Sequence, residues 1–77
     1  MKEEKLLKRI EINPKVMLGK PVIKGTRLTL EIIIEKLAYG ATFDSLKEDY
    51  PFLAKEDVQA ALLYSAKLLG NEEIFAA

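Results

Sequence analysis

The chain is a polypeptide of 77 residues with 49% apolar and 31% charged residues, a composition that predicts one folded domain and excludes a disordered chain. Twelve Lys and Arg balance twelve Asp and Glu, so strong nonspecific binding to nucleic acid is not expected. The absence of Cys and His excludes disulfides and a Cys/His zinc site, and it leaves catalysis without its usual nucleophile and base.

The charges are unevenly distributed along the chain. Residues 1–27 hold eight Lys/Arg against three Glu, a net +5, whereas residues 28–77 hold four Lys against nine Asp/Glu, a net −5. Such a separation suits phosphate binding at one end, a basic protein at the other, or a second copy head to tail. The alternative is that the charges only solvate two faces. No apolar run is long enough for a membrane helix or a signal peptide, so we expect a cytoplasmic protein.

The N-terminal residues predict an arm followed by a strand. Residues 1–9 are rich in Lys and Glu around Leu6-Leu7, which indicates a flexible arm or a short helix. Ile10-Glu11-Ile12 alternates apolar and polar residues as a half-buried strand does, and Asn13-Pro14 ends it.

A turn, a strand and a second turn follow at residues 19–27. Val22-Ile23 is the predicted strand, and Gly on each side supplies the positive φ that tight turns need. A structural turn role is assigned to Pro14, Gly19, Pro21, Gly25 and Thr26. The two strands predict a small β-hairpin. The glycine spacing does not match a phosphate-binding loop, so no nucleotide or other cofactor is expected.

Two helices are predicted after the hairpin, each with a start and a stop signal. Thr29 is the N-cap of the first, which begins near Leu30 and is closed by Gly40 as a left-handed cap. Thr42 is the N-cap of the second, which ends at about Tyr50 because the residue before a proline avoids helical angles.

A third helix is predicted from about Lys55 to Leu69. Three helices with a short middle one are typical of a helix-turn-helix core. The predicted fold is therefore mainly α: a three-helix core preceded by a short N-terminal hairpin, forming one domain over residues 10–70. An acidic and apolar tail, residues 71–77, follows it.

The apolar residues of the third helix fall mostly on one side, which we expect to be core. They are Val58, Ala61, Leu62, Ser65, Leu68 and Leu69. Leu63 falls on the opposite, polar face, where a large apolar side chain is a candidate interface residue or simply an isolated exposed leucine. The predicted partner or dimer interface consists of Leu63, Tyr64, Lys67, Ile74 and Phe75.

Basic residues around the hairpin predict a rim for phosphate contacts. They are Lys15, Lys20, Lys24 and Arg27. The first expectation for Arg27 is an ion pair with Glu56 or Asp57, with a phosphate contact as the alternative.

The start of the third helix is where a helix-turn-helix protein reads bases. Two acids, Glu56-Asp57, stand there and would repel phosphates, which leaves Gln59 and Lys55 as the only candidate readers. The carboxylates of these helices are better explained as solvated faces than as a metal site. This helix is therefore better suited to protein contact than to base reading.

Several short motifs carry a family resemblance. They are Gly19-Lys20-Pro21-Val22-Ile23-Lys24-Gly25-Thr26-Arg27, Ile12-Asn13-Pro14, Tyr50-Pro51, Glu56-Asp57-Val58 and Ala60-Ala61-Leu62. With these motifs, residues 10–65 resemble domain-of-unknown-function family 433. The resemblance implies a homeodomain-like helix-turn-helix fold and an antitoxin role beside PIN-like ribonucleases. One departure is Ala54, where the family often has Ser or Thr as an N-cap.

Three functions remain open at this stage. The first is an antitoxin-type interaction module, a homodimer that binds and neutralises a PIN-like ribonuclease toxin and binds operator DNA weakly. The second is a dimeric, sequence-specific DNA-binding regulator. The third is a self-associating structural domain. No enzyme activity, metal, membrane contact or small-molecule substrate is expected.

Overall fold

The computed structural model describes residues 2–70, which contain four α-helices and one two-stranded antiparallel sheet. This confirms the mainly helical fold with an N-terminal hairpin. In chain order the elements are α1 (Lys2–Leu7), β1 (Ile10–Glu11), a 3₁₀ turn (Met17–Gly19), β2 (Val22–Ile23), α2 (Leu30–Ala38), α3 (Phe43–Asp49) and α4 (Lys55–Gly70). None of the described helices is both long and apolar enough to cross a membrane.

The hairpin pairs Ile10 with Ile23 and Glu11 with Val22. Both residues of β2 are buried, because this strand is covered by the helices, whereas β1 is only half-buried. Between the strands, Gly19 has φ +82° and stands so close to Pro14 that a Cβ on it would lie 3.7 Å from the proline Cα. Gly19 thus has the positive φ that the prediction gave it, and it packs near Pro14 within the connection between the strands.

The second turn directs the chain from β2 into α2. Gly25 has φ +79°, and the Thr26 hydroxyl donates to the carbonyl of Ile23 (2.7 Å) and accepts from the amide of Leu28 (3.0 Å). The turn role predicted for Gly25 and Thr26 is therefore confirmed. A β-bridge between Val22 and Thr29 continues the contact up to the start of α2.

The caps of α2 and α3 are those predicted. The Thr29 hydroxyl accepts from the amide of Ile32 at 3.2 Å. Thr42 and Ser45 form a reciprocal capping box, in which each side chain accepts from the other residue's amide. Tyr50, before Pro51, follows the last residue of α3. These caps fix the helix boundaries because they satisfy amides that have no partner inside the helix.

The core lies where α2, α3 and α4 meet. Ile33, Leu46 and Leu53 are at most 1% exposed, and they pack with buried residues of the hairpin turn and of α4. On α4 the buried apolar positions are the small residues Ala60 and Ala61, which allow α2 to approach closely.

Helix α1 packs against α4 with opposite polarity. Its first turn is joined to the distal part of α4 by an ion pair between Glu3 and Lys67 (3.3 Å), and Arg9, just after its end, binds Asp57 (3.1 Å). Of the two alternatives for residues 1–9, the structure shows the short helix.

Candidate functional site

Helix α4 carries exposed leucines in its middle and near its end, called here the leucine face. It consists of Leu62, Leu68 and Leu69, which are 49%, 54% and 57% exposed. The prediction that these three leucines are core residues was wrong. Helix α4 has 16 residues and α2 has nine, so α4 is about 10 Å longer and extends beyond the core.

The predicted exposure of Leu63 was also wrong. Leu63 is half-buried, and in the sequence of α4 it lies between Asp57, which binds Arg9, and Lys67, which binds Glu3 of α1. Tyr64 is half-buried too and packs against the core. Helical periodicity placed Leu63 on a polar face of α4, because periodicity alone cannot show that α1 packs against α4. Two further predicted interface residues, Ile74 and Phe75, lie outside the described residues.

An apolar groove of about 480 Å³ borders the leucine face between α2 and α4. It is lined by Lys20, Pro21, Leu30, Glu31, Ile34, Glu35, Tyr64, Ser65 and Leu68. The hydroxyl of Ser65 donates to the carbonyl of Ala61 (2.9 Å), so it presents no free donor to the groove. Acidic side chains therefore stand on the α2 rim of an otherwise apolar surface.

The basic rim is only partly as predicted. Lys20 binds Glu31 at 3.0 Å, whereas Lys15, Lys24 and Arg27 have no carboxylate within 4.0 Å among residues 2–70. The Lys20 pair is exposed on both sides and contributes little to stability. Three cations at this end of the molecule thus remain available to a ligand.

The predicted ion pair between Arg27 and an acid of α4 was wrong. Asp57 is instead bound by Arg9, which the β1–β2 pairing and α1 hold beside the start of α4. The second carboxylate oxygen of Asp57 accepts from the amide of Ala54 at 2.9 Å. Asp57 is 6% exposed and is a structural residue, which closes the first turn of α4.

The start of α4 offers few groups that could read a base. The Lys55 ammonium lies 5.8 Å from the centre of the Phe43 ring, and Asp57 is buried. Gln59 is exposed, in a surface cleft that it shares with Glu56 and with basic residues of α1. Within residues 2–70, no three carboxylates gather as a metal site would require.

Two residues of that cleft, Lys2 and Lys5, were missed by the sequence analysis. Their spacing of three residues places them on one side of α1, which is a weak signal that sequence alone contains. Their position beside Gln59 depends on the packing of α1 against α4 and could not be predicted.

The comparisons with known proteins agree on one family. A search of curated proteins found no match. The crystal structure of a DUF433 member protein from Anabaena variabilis ATCC 29413 is similar, with a TM-score of 0.77 and 30% sequence identity over 87% of this chain. This chain spans 66% of the length of that one. The family described as "Protein of unknown function (DUF433)" matches residues 10–65, so the chain belongs to the DUF433 family.

Proposed function

We propose that this domain is an antitoxin-type protein-interaction module, a cytoplasmic homodimer that binds and neutralises a PIN-like ribonuclease. The observation that carries the proposal is the leucine face, Leu62, Leu68 and Leu69, beside the apolar groove between α2 and α4. Burying a leucine completely is worth about 1.5–3 kcal/mol, so covering three half-exposed leucines supplies roughly 2–4 kcal/mol to a complex. Contiguous apolar surface of this kind marks interaction sites.

Charge favours a basic partner at this face. The groove rim carries Glu31 and Glu35 on α2, and Lys20, which also lines the groove, is paired with Glu31, so Glu35 leaves the rim with a net charge of −1. Residues 28–77, which include both groove helices, hold a net −5. A ribonuclease has to attract phosphates and therefore presents basic surface around its active site. An acidic, apolar surface is complementary to it and would cover that site.

The second candidate, a sequence-specific DNA-binding regulator, has weaker support from the geometry. Helix α1 packs along one flank of α4, and two helices side by side measure about 20 Å across. The major groove is about 12 Å wide and admits one helix. What favours phosphate binding is that Lys15 and Lys24 have no carboxylate within 4.0 Å among residues 2–70, so they would give weak operator binding without base readout.

Partner binding is tested with a purified PIN-like ribonuclease, by calorimetric titration and by its RNA cleavage. We expect a dissociation constant in the micromolar range or below and loss of cleavage on saturation. Leu69→Asp should weaken binding by about 30-fold, as for a central interface residue. The matched control is Tyr39→Asp, which also replaces an exposed apolar residue, 85% exposed, outside the groove. Absence of binding at micromolar concentration would refute the proposal.

DNA binding is tested by fluorescence anisotropy of labelled duplexes at increasing salt. Phosphate contacts from Lys15 and Lys24 predict a slope of log K against log[salt] of about −1.8, because each contact contributes about −0.9. Replacing Lys24 by Gln should make the slope shallower by about 0.9, the contribution of one phosphate contact. A steep slope together with sequence preference would favour the regulator, and no binding at low salt would remove DNA from the proposal.

A further inference from the structure

A second groove, called here the aromatic groove, opens on another side of the molecule. It has a volume of about 650 Å³ and is lined by Gly25, Thr26, Arg27, Leu28, Ile32, Tyr50 and Phe52. The rings of Tyr50 and Phe52 meet edge to face, with centroids 6.1 Å apart, and Phe52 is 54% exposed. The wall is therefore largely apolar and aromatic, with one charged side chain.

Both sides of the aromatic groove are held in place before any ligand binds. The Lys47 ammonium donates to the carbonyls of Pro51 (3.2 Å) and Leu53 (3.0 Å), which fixes the segment that carries Phe52. On the other side, the two hydrogen bonds of the Thr26 hydroxyl hold the turn before Arg27. A preformed groove lowers the entropy cost of binding.

The chemistry of the groove selects an apolar side chain next to a carboxylate. Arg27 is the only charged lining residue, it is exposed, and no carboxylate among residues 2–70 lies within 4.0 Å of it. An arginine of this kind can bind a carboxylate with two parallel hydrogen bonds. The aromatic walls suit a phenyl ring, which packs edge to face against Tyr50 or Phe52.

The chain itself contains a segment of this chemistry. Glu72-Glu73-Ile74-Phe75 places an acid two residues before an aromatic residue. In an extended peptide, residues two apart point to the same side, about 6.6 Å from each other. Glu73 can then meet Arg27 while Phe75 enters the groove.

This segment follows the opposite end of α4 from the groove residues Tyr50 and Phe52. Tyr50 and Phe52 lie within five residues of the first residue of α4, and Gly70, at the other end of that helix, is about 22 Å away. Five extended residues beyond Gly70 span at most about 17 Å. We propose that the aromatic groove binds Glu72-Glu73-Ile74-Phe75 of a second copy of this chain, with Glu73 on Arg27 and Phe75 packed against Tyr50 or Phe52.

The contact is reciprocal, so two copies exchange these segments and form a closed dimer. It supplies the interface of the homodimer proposed above and rests on that part of the proposed function. It does not use the leucine face, which remains free for the ribonuclease. Self-association and partner binding therefore depend on different residues.

Sedimentation equilibrium of the full chain over micromolar to millimolar concentrations tests the contact. We expect a dimer that Phe75→Ala weakens by about 30-fold, since a buried aromatic anchor is removed. Arg27→Glu should weaken the dimer by about tenfold, because the new carboxylate repels Glu73 of the second copy, which Arg27 attracts. The combination of Arg27→Glu with Glu73→Arg restores the ion pair in reverse and should return the dissociation constant to within about threefold of wild type.

The control is Lys24→Glu, which makes the same charge change at an exposed residue outside the groove and should alter the constant less than about twofold. Circular dichroism of each variant checks that the fold is kept. A dimer that survives both Phe75→Ala and Arg27→Glu overturns this contact but leaves the homodimer. If the wild-type chain is monomeric over the whole concentration range, both the groove contact and the homodimer are refuted. Leu69→Asp should weaken ribonuclease binding by about 30-fold and leave self-association unchanged, which separates the two proposals.

Discussion

Asp57 offers the most quantitative test of the fold, because its buried carboxylate accepts hydrogen bonds from two different parts of the chain. One oxygen accepts from the amide of Ala54, the residue before α4, at 2.9 Å. The other accepts from the guanidinium of Arg9 at 3.1 Å and so attaches the end of α1 to α4. The first bond is part of a helix cap, and the second joins two elements 48 residues apart in sequence.

The two bonds contribute different amounts of stability. A capping hydrogen bond is worth about 1 kcal/mol. The side chain of Arg9 is 41% exposed, so solvent screens the ion pair and we assign it about 0.5–1 kcal/mol. Asp57→Ala removes both and should cost about 2 kcal/mol. Asp57→Asn keeps an acceptor for the Ala54 amide and loses the charge, so it should cost less, about 0.5–1 kcal/mol.

Urea unfolding followed by far-UV circular dichroism measures these differences. Asp57→Ala should also lower the melting temperature by about 8–16 °C, because 1 kcal/mol corresponds to about 4–8 °C in a domain of this size. The control is Arg9→Ala, which should cost only the ion pair, and the double variant should cost little more than Asp57→Ala. If Asp57→Ala unfolds within about 0.5 kcal/mol of wild type, the assigned cap and tether are wrong.

The other predictions concern single positions and use the same unfolding assay. Ala54→Ser should stabilise the domain by about 0.5–1 kcal/mol, because a serine hydroxyl would accept from the amide of Asp57 and complete a capping box; destabilisation would mean that α4 starts elsewhere. Gly25→Ala should cost about 1 kcal/mol from its φ of +79° alone, since nothing lies within 4 Å of the added Cβ. Leu63→Asp should destabilise by about 2 kcal/mol and the half-exposed Leu62→Asp by about 1 kcal/mol. Equal costs for the two leucines would contradict the packing of α1 against α4.

The features that local sequence encodes were predicted with residue accuracy. Thr29 and Thr42 cap their helices as expected, because an N-cap depends on a side chain and an amide only two or three residues apart. The turn at Gly25 and Thr26 was predictable for the same reason: its positive φ and its hydrogen bonds lie within six residues. The resemblance of residues 10–65 to a family was confirmed as well.

The candidate site was predicted less well, because it depends on which elements pack together. Helical periodicity separates the sides of α4, but it cannot show which side faces the core and which side α1 covers. Leu62 was therefore predicted to be interior and Leu63 to be exposed, whereas Leu62 is exposed and Leu63 is half-buried. Arg27 was likewise predicted to pair with Glu56 or Asp57, whereas Asp57 binds Arg9.

The sequence by itself determined the elements of this protein: a hairpin, three capped helices and their boundaries, all held by contacts between residues close in the chain. The tertiary structure alone decided which surfaces are open. Three leucines of α4 are exposed although helical periodicity assigned them to the core, and Asp57 binds Arg9, whereas Arg27 binds no carboxylate among residues 2–70. Both outcomes depend on contacts between residues distant in the chain, which no local pattern encodes.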